Sequence, residues 1–128
     1  MDDRRFEGRL FGDLSAITQI NRAVPALASV VARSEWHTRL LNGSDYPLPG
    51  IMPRYSVNYL VELNYIEPAI APLLTEIRQH NPLLFDFVLK RNVRVNGKGF
   101  AAAVFETRAF FTPRRQAMWH RDFSGQMR

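Results

Sequence analysis

The chain has 128 residues, of which 46% are hydrophobic and 23% charged, so its length and composition fit one globular domain. These values exclude a wholly disordered chain, a fibrous repeat and a transmembrane protein. The absence of cysteine excludes a disulfide scaffold, thiolate zinc sites, iron–sulfur clusters and cysteine nucleophiles. The first ten residues contain no apolar core, so we expect no secretory signal peptide.

The net charge of +5 is concentrated at the C-terminal end of the chain. Residues 1–89 carry 8 basic and 10 acidic side chains, whereas residues 90–128 carry 9 basic and 2 acidic ones. This asymmetry indicates a surface that faces something acidic. Fifteen of the 17 cations are arginines, which favours bidentate pairing with carboxylate or phosphate, although an arginine-rich genome gives the same ratio.

The first third of the chain predicts two helices. Asp13 suits the N-cap of a helix over residues 14–24, whose apolar side chains recur at helical spacing. Pro25 either ends or kinks this helix or begins the next one. Residues 26–41 predict that second helix, and Asn42-Gly43 is a typical helix stop.

The middle of the chain predicts a loop followed by two further helices. Residues 42–54 contain three prolines and two glycines, which is typical of a loop held by proline. Residues 56–66 predict a helix capped by Ser56, with a strand as the alternative. Glu67-Pro68 ends this element, and residues 69–80 predict another short helix.

The last third of the chain predicts a β-hairpin. Residues 83–95 are β-branched and aromatic and alternate in character, and Asn96-Gly97 is a strong signal for a tight hairpin turn. Residues 99–111 then predict a partner strand that is apolar on both faces, although its run of alanines favours helix. The predicted fold class is therefore α+β, with N-terminal helices packed on a C-terminal antiparallel β-hairpin or small sheet. Residues 1–112 form its single domain, and residues 113–128 form a basic aromatic tail.

No motif for catalysis or cofactor binding is present. His37 and His80 lack a second ligand at helical or hairpin spacing. His120-Arg121-Asp122 matches half of a facial iron triad, but no second histidine follows it. We therefore expect a non-enzymatic protein without cofactor or metal.

The C-terminal tail combines cations with aromatic residues. Such a segment docks on a protein partner through Trp and Arg, or it binds nucleic acid by charge and stacking. A tail folded over its own sheet, with solvated arginines, is the third reading. Tryptophan and phenylalanine flank the arginines, which favours the protein partner. The residues that carry this prediction are Arg114, Arg115, Trp119, His120, Arg121, Phe123 and Arg128.

One set of short motifs resembles a known family. It comprises Thr38-Arg39, Gly43-Ser44 with Pro47 and Gly50, residues 65–70 with Glu67-Pro68, and the segment 83–88. Their order resembles the lysozyme-like baseplate wedge and sheath-initiator proteins of contractile phage tails and type VI secretion systems. The family's hallmark is Glu-Pro-Arg, where this chain has Ala69, and two extra residues separate Arg39 from Gly43.

The resemblance implies a non-enzymatic assembly part that joins the baseplate to the sheath and offers sheet edges to the first sheath ring. It implies location in a virion or a cytoplasmic assembly, with other subunits or copies of the same chain as partners and no membrane insertion. The alternative is a small nucleic-acid-binding protein that uses residues 90–128. We also expect Glu67 to be less exposed than a typical glutamate and to meet an arginine, within the chain or from a partner; a solvent-facing helix terminus is the alternative. The predicted partner-binding residues are Glu67, Pro68, Arg108, Phe111, Arg114, Arg115, Trp119 and Arg121.

Overall fold

The structure is a computed structural model that describes residues 1–112; Arg114, Arg115, Trp119 and Arg121 of the predicted tail lie outside these residues. Its elements, in chain order, are a 3-10 turn (Arg4–Phe6), β1 (Gly12–Asp13), α1 (Ile20–Arg22), a π-helical stretch (Ala23–Leu27), α2 (Ala28–Ala32), a 3-10 turn (Ser34–Arg39), β2 (Leu40–Leu41), a 3-10 turn (Leu48–Gly50), α3 (Val57–Glu62), a 3-10 turn (Pro68–Ile70), α4 (Ala71–His80), α5 (Pro82–Asn92), a 3-10 turn (Ala102–Phe105) and α6 (Arg108–Phe111).

The predicted helix over residues 14–24 is wrong in its first half. Asp13 belongs to β1, and its carboxylate accepts a hydrogen bond from the Ser15 backbone instead of capping a helix. Ala16 has a positive φ of 59°, and residues 16–19 are buried in succession, which an amphipathic helix does not allow. From Ile20 the chain is helical, and it passes Pro25 within the π-helical stretch, whose wider turn accommodates a residue without an N–H.

The predicted second helix over residues 26–41 ends early. Helix α2 stops at Ala32, and after a 3-10 turn the chain forms β2, which pairs parallel with β1. Gly12 lies opposite Leu40 and Asp13 opposite Leu41, and Leu14 extends the contact by donating its N–H to the Leu41 carbonyl. This two-residue pair is the sheet of the described part of the chain.

The middle of the chain follows the prediction. Ser56 accepts a hydrogen bond from the Tyr59 N–H at 3.2 Å and caps α3, so the predicted helix is confirmed over Val57–Glu62, which is shorter than the predicted range of 56–66. Pro68 begins a 3-10 turn that leads into α4, whose Leu74 side chain is buried in the core.

The predicted strand over residues 83–95 is a helix. Asn81 accepts a hydrogen bond from the Leu84 N–H at 3.0 Å, and Pro82 is the first residue of α5. An Asn N-cap followed by proline is a favoured helix start. Phe85 and Leu89 lie one turn apart and are both buried, so the alternation that suggested a strand is one face of a helix.

The Asn96-Gly97 turn forms, but no strands leave it. Both residues have positive φ, 51° and 77°, and Val95 and Lys98 exchange backbone hydrogen bonds at 2.7 and 3.0 Å. The chain beyond it forms a 3-10 turn that buries Val104, followed by α6. The structure is therefore mostly helical, and the prediction of an α+β fold with a C-terminal antiparallel hairpin is wrong.

The buried residues of the hydrophobic core lie between Leu14 and Val104. Helices α4 and α5 pack against each other, and α3 packs on α4. The N-terminal helical segment and the C-terminal 3-10 turn contribute to the same cluster. Its most deeply buried large side chains are Leu14, Leu27, Val31, Tyr55, Leu60, Leu74, Phe85, Leu89, Val93 and Val104.

The N-cap residue of α5, Asn81, allows the start of this helix to be tested by substitution. We expect Asn81→Ala to lower the free energy of unfolding by about 1 kcal/mol, because it removes the side-chain acceptor for the Leu84 N–H. Urea denaturation measures this change. Asn58→Ala is the matched control, since Asn58 is exposed within α3, and we expect a change below about 0.5 kcal/mol. Equal, negligible effects of both substitutions would contradict a helix that begins at Pro82.

Candidate functional site

A buried ion pair lies at the centre of the described structure. Asp86 and Lys90 are one turn apart in α5, and their side chains are 1% and 0% exposed. The Lys90 Nζ donates to Asp86 Oδ2 at 2.7 Å and to the backbone carbonyl of Gly43 at 2.6 Å. Lys90 therefore joins α5 to the loop that follows β2; we refer to this arrangement of Asp86, Lys90 and Gly43 as the lysine bridge.

Burial is the largest influence on the pKa values of both charged residues in the lysine bridge. It raises the pKa of Asp86 to about 6, although the neighbouring Lys90 ammonium opposes the shift, and the charges of Asp13 and Asp45 reinforce it. Burial also lowers the pKa of Lys90, against the attraction of the three carboxylates. Asp86 Oδ1 has no hydrogen-bond partner within residues 1–112, which is consistent with the cost of its ionised form.

The lysine bridge cannot act on a substrate in this conformation. Strongly perturbed pKa values often mark functional groups, but such groups act only where a ligand can reach them. Neither Asp86 nor Lys90 is open to solvent. We therefore interpret the pair as a structural contact that positions the loop after β2.

Gly43 fits this contact because it has no side chain. A Cβ at this position would collide with the carboxylate of Asp13 and the hydroxyl of Ser15. The residue before it, Asn42, donates its N–H to the Val104 carbonyl at 3.1 Å. The segment 42–43 thus lies between the turn after β1, helix α5 and the C-terminal 3-10 turn.

His37 is a second buried polar group, and its two ring nitrogens are both used. Nδ1 accepts the Ala101 N–H at 3.1 Å, so Nε2 carries the proton and donates to the Val30 carbonyl at 3.1 Å. The ring thereby connects the end of α2 to the segment before the C-terminal 3-10 turn. Within residues 1–112, no three His, Cys, Asp or Glu side chains cluster in a way that could hold a metal ion.

Three phenylalanines form a group of tilted and edge-to-face rings at the surface. The Phe11 and Phe110 ring centroids are 4.7 Å apart, and those of Phe110 and Phe111 are 5.0 Å apart. The three residues are 37%, 48% and 68% exposed, respectively. We call Phe11, Phe110 and Phe111 the aromatic surface. It joins the segment before β1 to α6, directly before the predicted tail.

The structure brings together two of the predicted partner-binding residues. Arg108 and Phe111 lie one turn apart on α6, and both are exposed. Glu67 and Pro68 lie elsewhere, at the turn before α4, where Pro68 lines an open groove between α3 and α4. Glu67 is exposed and forms no ion pair with any described residue, which fits the alternative of a solvent-facing helix terminus; its pairing with an arginine of a partner stays a prediction.

Sequence reasoning missed the lysine bridge. It counted Lys90 among the basic residues 90–128 and did not pair it with Asp86, whereas each neutralises the other in the core. The available signal was their spacing of four residues within an apolar run, which places two opposite charges on one helix face.

Comparisons of the chain with protein-family models, curated proteins and solved structures found no match in any of the three. Function is therefore inferred from the geometry of residues 1–112 and from the sequence. Within those residues, no helix is both long and apolar enough to cross a membrane.

The lysine bridge gives a prediction for stability. We expect Lys90→Met to lower the free energy of unfolding by about 3 kcal/mol or more, because it leaves the Asp86 carboxylate buried without its cation. The double variant Asp86→Leu/Lys90→Met is expected to recover at least about 1 kcal/mol of this loss, since it removes both charges. Urea denaturation of the single and double variants measures the difference.

Lys98→Met is the control for this series, because Lys98 is the chain's other lysine and is exposed. We expect it to change stability by less than about 0.5 kcal/mol. A Lys90→Met variant as stable as Lys98→Met would show that the buried pair does not form.

Asp86 also gives a prediction for pH. Its pKa is raised from the ordinary value of 3.8 to about 6 in the folded chain, so the folded state binds more protons than the unfolded state between these two values. The contribution of Asp86 to stability is therefore fully present below about pH 4 and is lost as the pH rises through 6. We expect the difference in unfolding free energy between the natural chain and Asp86→Asn to grow by roughly 2 kcal/mol from pH 7 to pH 4.

Denaturation curves at several pH values measure this difference, from which titratable groups away from the Asp86–Lys90 pair cancel to first order. Parallel profiles for the two proteins, or a difference that shrinks on acidification, would contradict the raised pKa of Asp86.

Proposed function

We propose that this protein is a non-enzymatic docking module of a multi-subunit assembly, which binds a protein partner through the aromatic surface and the basic segment after it. The observation that supports the proposal most is the mutual ring contact of Phe11, Phe110 and Phe111 at the surface, with Phe111 68% exposed. Rings in mutual contact form one apolar patch, and such patches on proteins often mark partner-binding sites.

The arrangement of the aromatic surface suits an interface. Phenylalanine loses little side-chain entropy on binding and brings a large apolar area, so a small ring cluster can anchor a partner. Arg108 stands one turn before Phe111 and can form a charged rim beside the rings. The chain then continues towards Arg114, Arg115, Trp119 and Arg121, which the sequence predicts to contact the same partner.

The second predicted contact region, Glu67 and Pro68, is compatible with the same role. Both residues are exposed, so a neighbouring subunit can reach them. An arginine from that subunit is the partner that we propose for Glu67. We rank this contact below the aromatic surface, because Glu67 is a single side chain whereas the three phenylalanines contact one another.

A narrower proposal is a baseplate component of a contractile phage tail, located in the virion or in a cytoplasmic assembly. It rests on the sequence resemblance around Thr38-Arg39, Gly43-Ser44 and Glu67-Pro68. Sheet-edge addition is no longer part of this proposal, because the sheet of residues 1–112 is one parallel pair of two residues per strand. Docking through helix-borne aromatic side chains takes its place.

Nucleic-acid binding is the less favoured function, because several cations of residues 90–112 are already engaged within the chain. Lys90 is buried in the lysine bridge. The Arg91 guanidinium lies 5.4 Å from the centre of the Phe105 ring, and Arg94 donates to the carbonyls of Arg91 and Val93. These contacts reduce the number of free cations that could neutralise phosphates.

The aromatic surface can be tested in native cells. We expect a tagged chain with Phe110→Ser and Phe111→Ser to shift from high-mass complexes to the monomer fraction, with at least a tenfold loss of the assembled form. Sedimentation through a density gradient measures the distribution. Leu73→Ser is the control, because Leu73 is 54% exposed on α4 and is not part of the aromatic surface.

The same experiment separates the two functions. For a protein partner, Trp119→Ala reproduces much of the loss, and the assembled fraction depends weakly on salt. An unchanged distribution for the double serine variant, or an assembled fraction that nuclease treatment or moderate salt removes, would contradict docking on a protein.

A further inference from the structure

A cleft with two arginines lies on the surface beside the start of α1. It has a volume of about 560 Å³ and is lined by Gln19, Ile20, Asn21, Arg22, Pro53 and Arg54. We call it the arginine cleft. None of the residues of the aromatic surface lines it, so it is a separate feature of the molecule.

Two hydrogen bonds fix the walls of the arginine cleft relative to each other. The Ile20 N–H donates to the Arg54 carbonyl at 3.0 Å, and the Gln19 Nε2 donates to the Tyr55 hydroxyl at 3.3 Å. Gln19 and Tyr55 are both buried. The backbone positions that carry the two arginines are therefore set before any ligand binds, which reduces the entropy lost on binding.

The charge of the arginine cleft is not neutralised by the described part of the chain. Arg22 and Arg54 are both exposed, and neither forms an ion pair with another residue between positions 1 and 112. The lining contains no carboxylate, whereas the Asn21 side chain adds further N–H donors. By contrast, Arg5 and Arg33 pair with Asp3 and Asp2.

We propose that the arginine cleft binds a phosphate group. Arg22 and Arg54 both line the cleft, and each guanidinium can offer forked N–H donors to phosphate oxygens. The Arg22 Nη1 also donates to the Ser15 carbonyl at 3.4 Å, which leaves the other N–H groups of this side chain for a ligand. The cleft is larger than inorganic phosphate, so it also has room for the remaining part of a phosphorylated molecule along Ile20 and Pro53. This site is independent of the proposed docking function.

Nuclear magnetic resonance titration of the full chain with inorganic phosphate tests the proposal, with chloride used to hold the ionic strength constant. We expect saturable shifts of the Asn21 and Arg54 backbone amides, and binding of acetate at least fivefold weaker. Glycerol phosphate serves as the second phosphate source. Tighter binding of the ester assigns the site to phosphorylated molecules, and equal binding assigns it to the free anion; both support a phosphate site.

Substitutions of the two arginines test whether phosphate binds in the arginine cleft. We expect Arg22→Gln/Arg54→Gln to weaken phosphate binding at least tenfold and Arg22→Lys/Arg54→Lys to retain part of it, because lysine keeps the charge and loses the fork. Arg9→Gln is the control, since Arg9 is exposed and does not line the cleft. An absence of saturable shifts, acetate binding as tight as phosphate, or a glutamine double variant that binds like the natural chain would overturn the proposal.

Discussion

The contact of the Lys90 ammonium with the Gly43 carbonyl is the constraint on which the rest of this structure depends. It is a single hydrogen bond of 2.6 Å, and it connects the longest helix of the described chain to the loop after β2. A buried ammonium is costly unless it is neutralised, and Asp86 supplies the negative charge from one turn earlier in the same helix. The pair thus fixes the position of the loop after β2, and the desolvation of its two charges opposes folding.

Both proposed binding regions are connected to this contact through the backbone. Asn42 lies next to Gly43 and donates its N–H to the Val104 carbonyl. Val104 precedes α6, which carries the exposed Phe110 and Phe111. On the other side, Gly43 packs against Asp13 and Ser15, which lead into the buried turn before the arginine cleft. The fixed loop therefore connects both proposed binding surfaces to the same core. Neither surface would then have to become ordered when its ligand binds.

Local signals predicted the middle of the fold, and contacts between distant residues decided the rest. The Ser56 cap and the break at Pro68 are encoded in a few neighbouring residues, and they appear as predicted. The apolar side chains of residues 83–89 are spaced in a way that fits either a strand or one face of a helix. The only local signal that favours the helix is the helix start at Asn81-Pro82. The contact of Lys90 with Gly43 joins residues 47 positions apart, and the contact of Phe11 with Phe110 joins residues 99 positions apart, so no local pattern specifies either one.

The most direct measurement of the central contact is nuclear magnetic resonance of the lysine side-chain ammonium groups, because the chain contains only Lys90 and Lys98. A buried, doubly hydrogen-bonded ammonium exchanges its protons slowly with water and lies close to the Gly43 Hα atoms. The structure predicts one slowly exchanging ammonium signal with a cross-relaxation peak to Gly43, assigned to Lys90 by its loss in Lys90→Met. Two lysine signals with equally fast exchange and no contact to Gly43 would contradict the account.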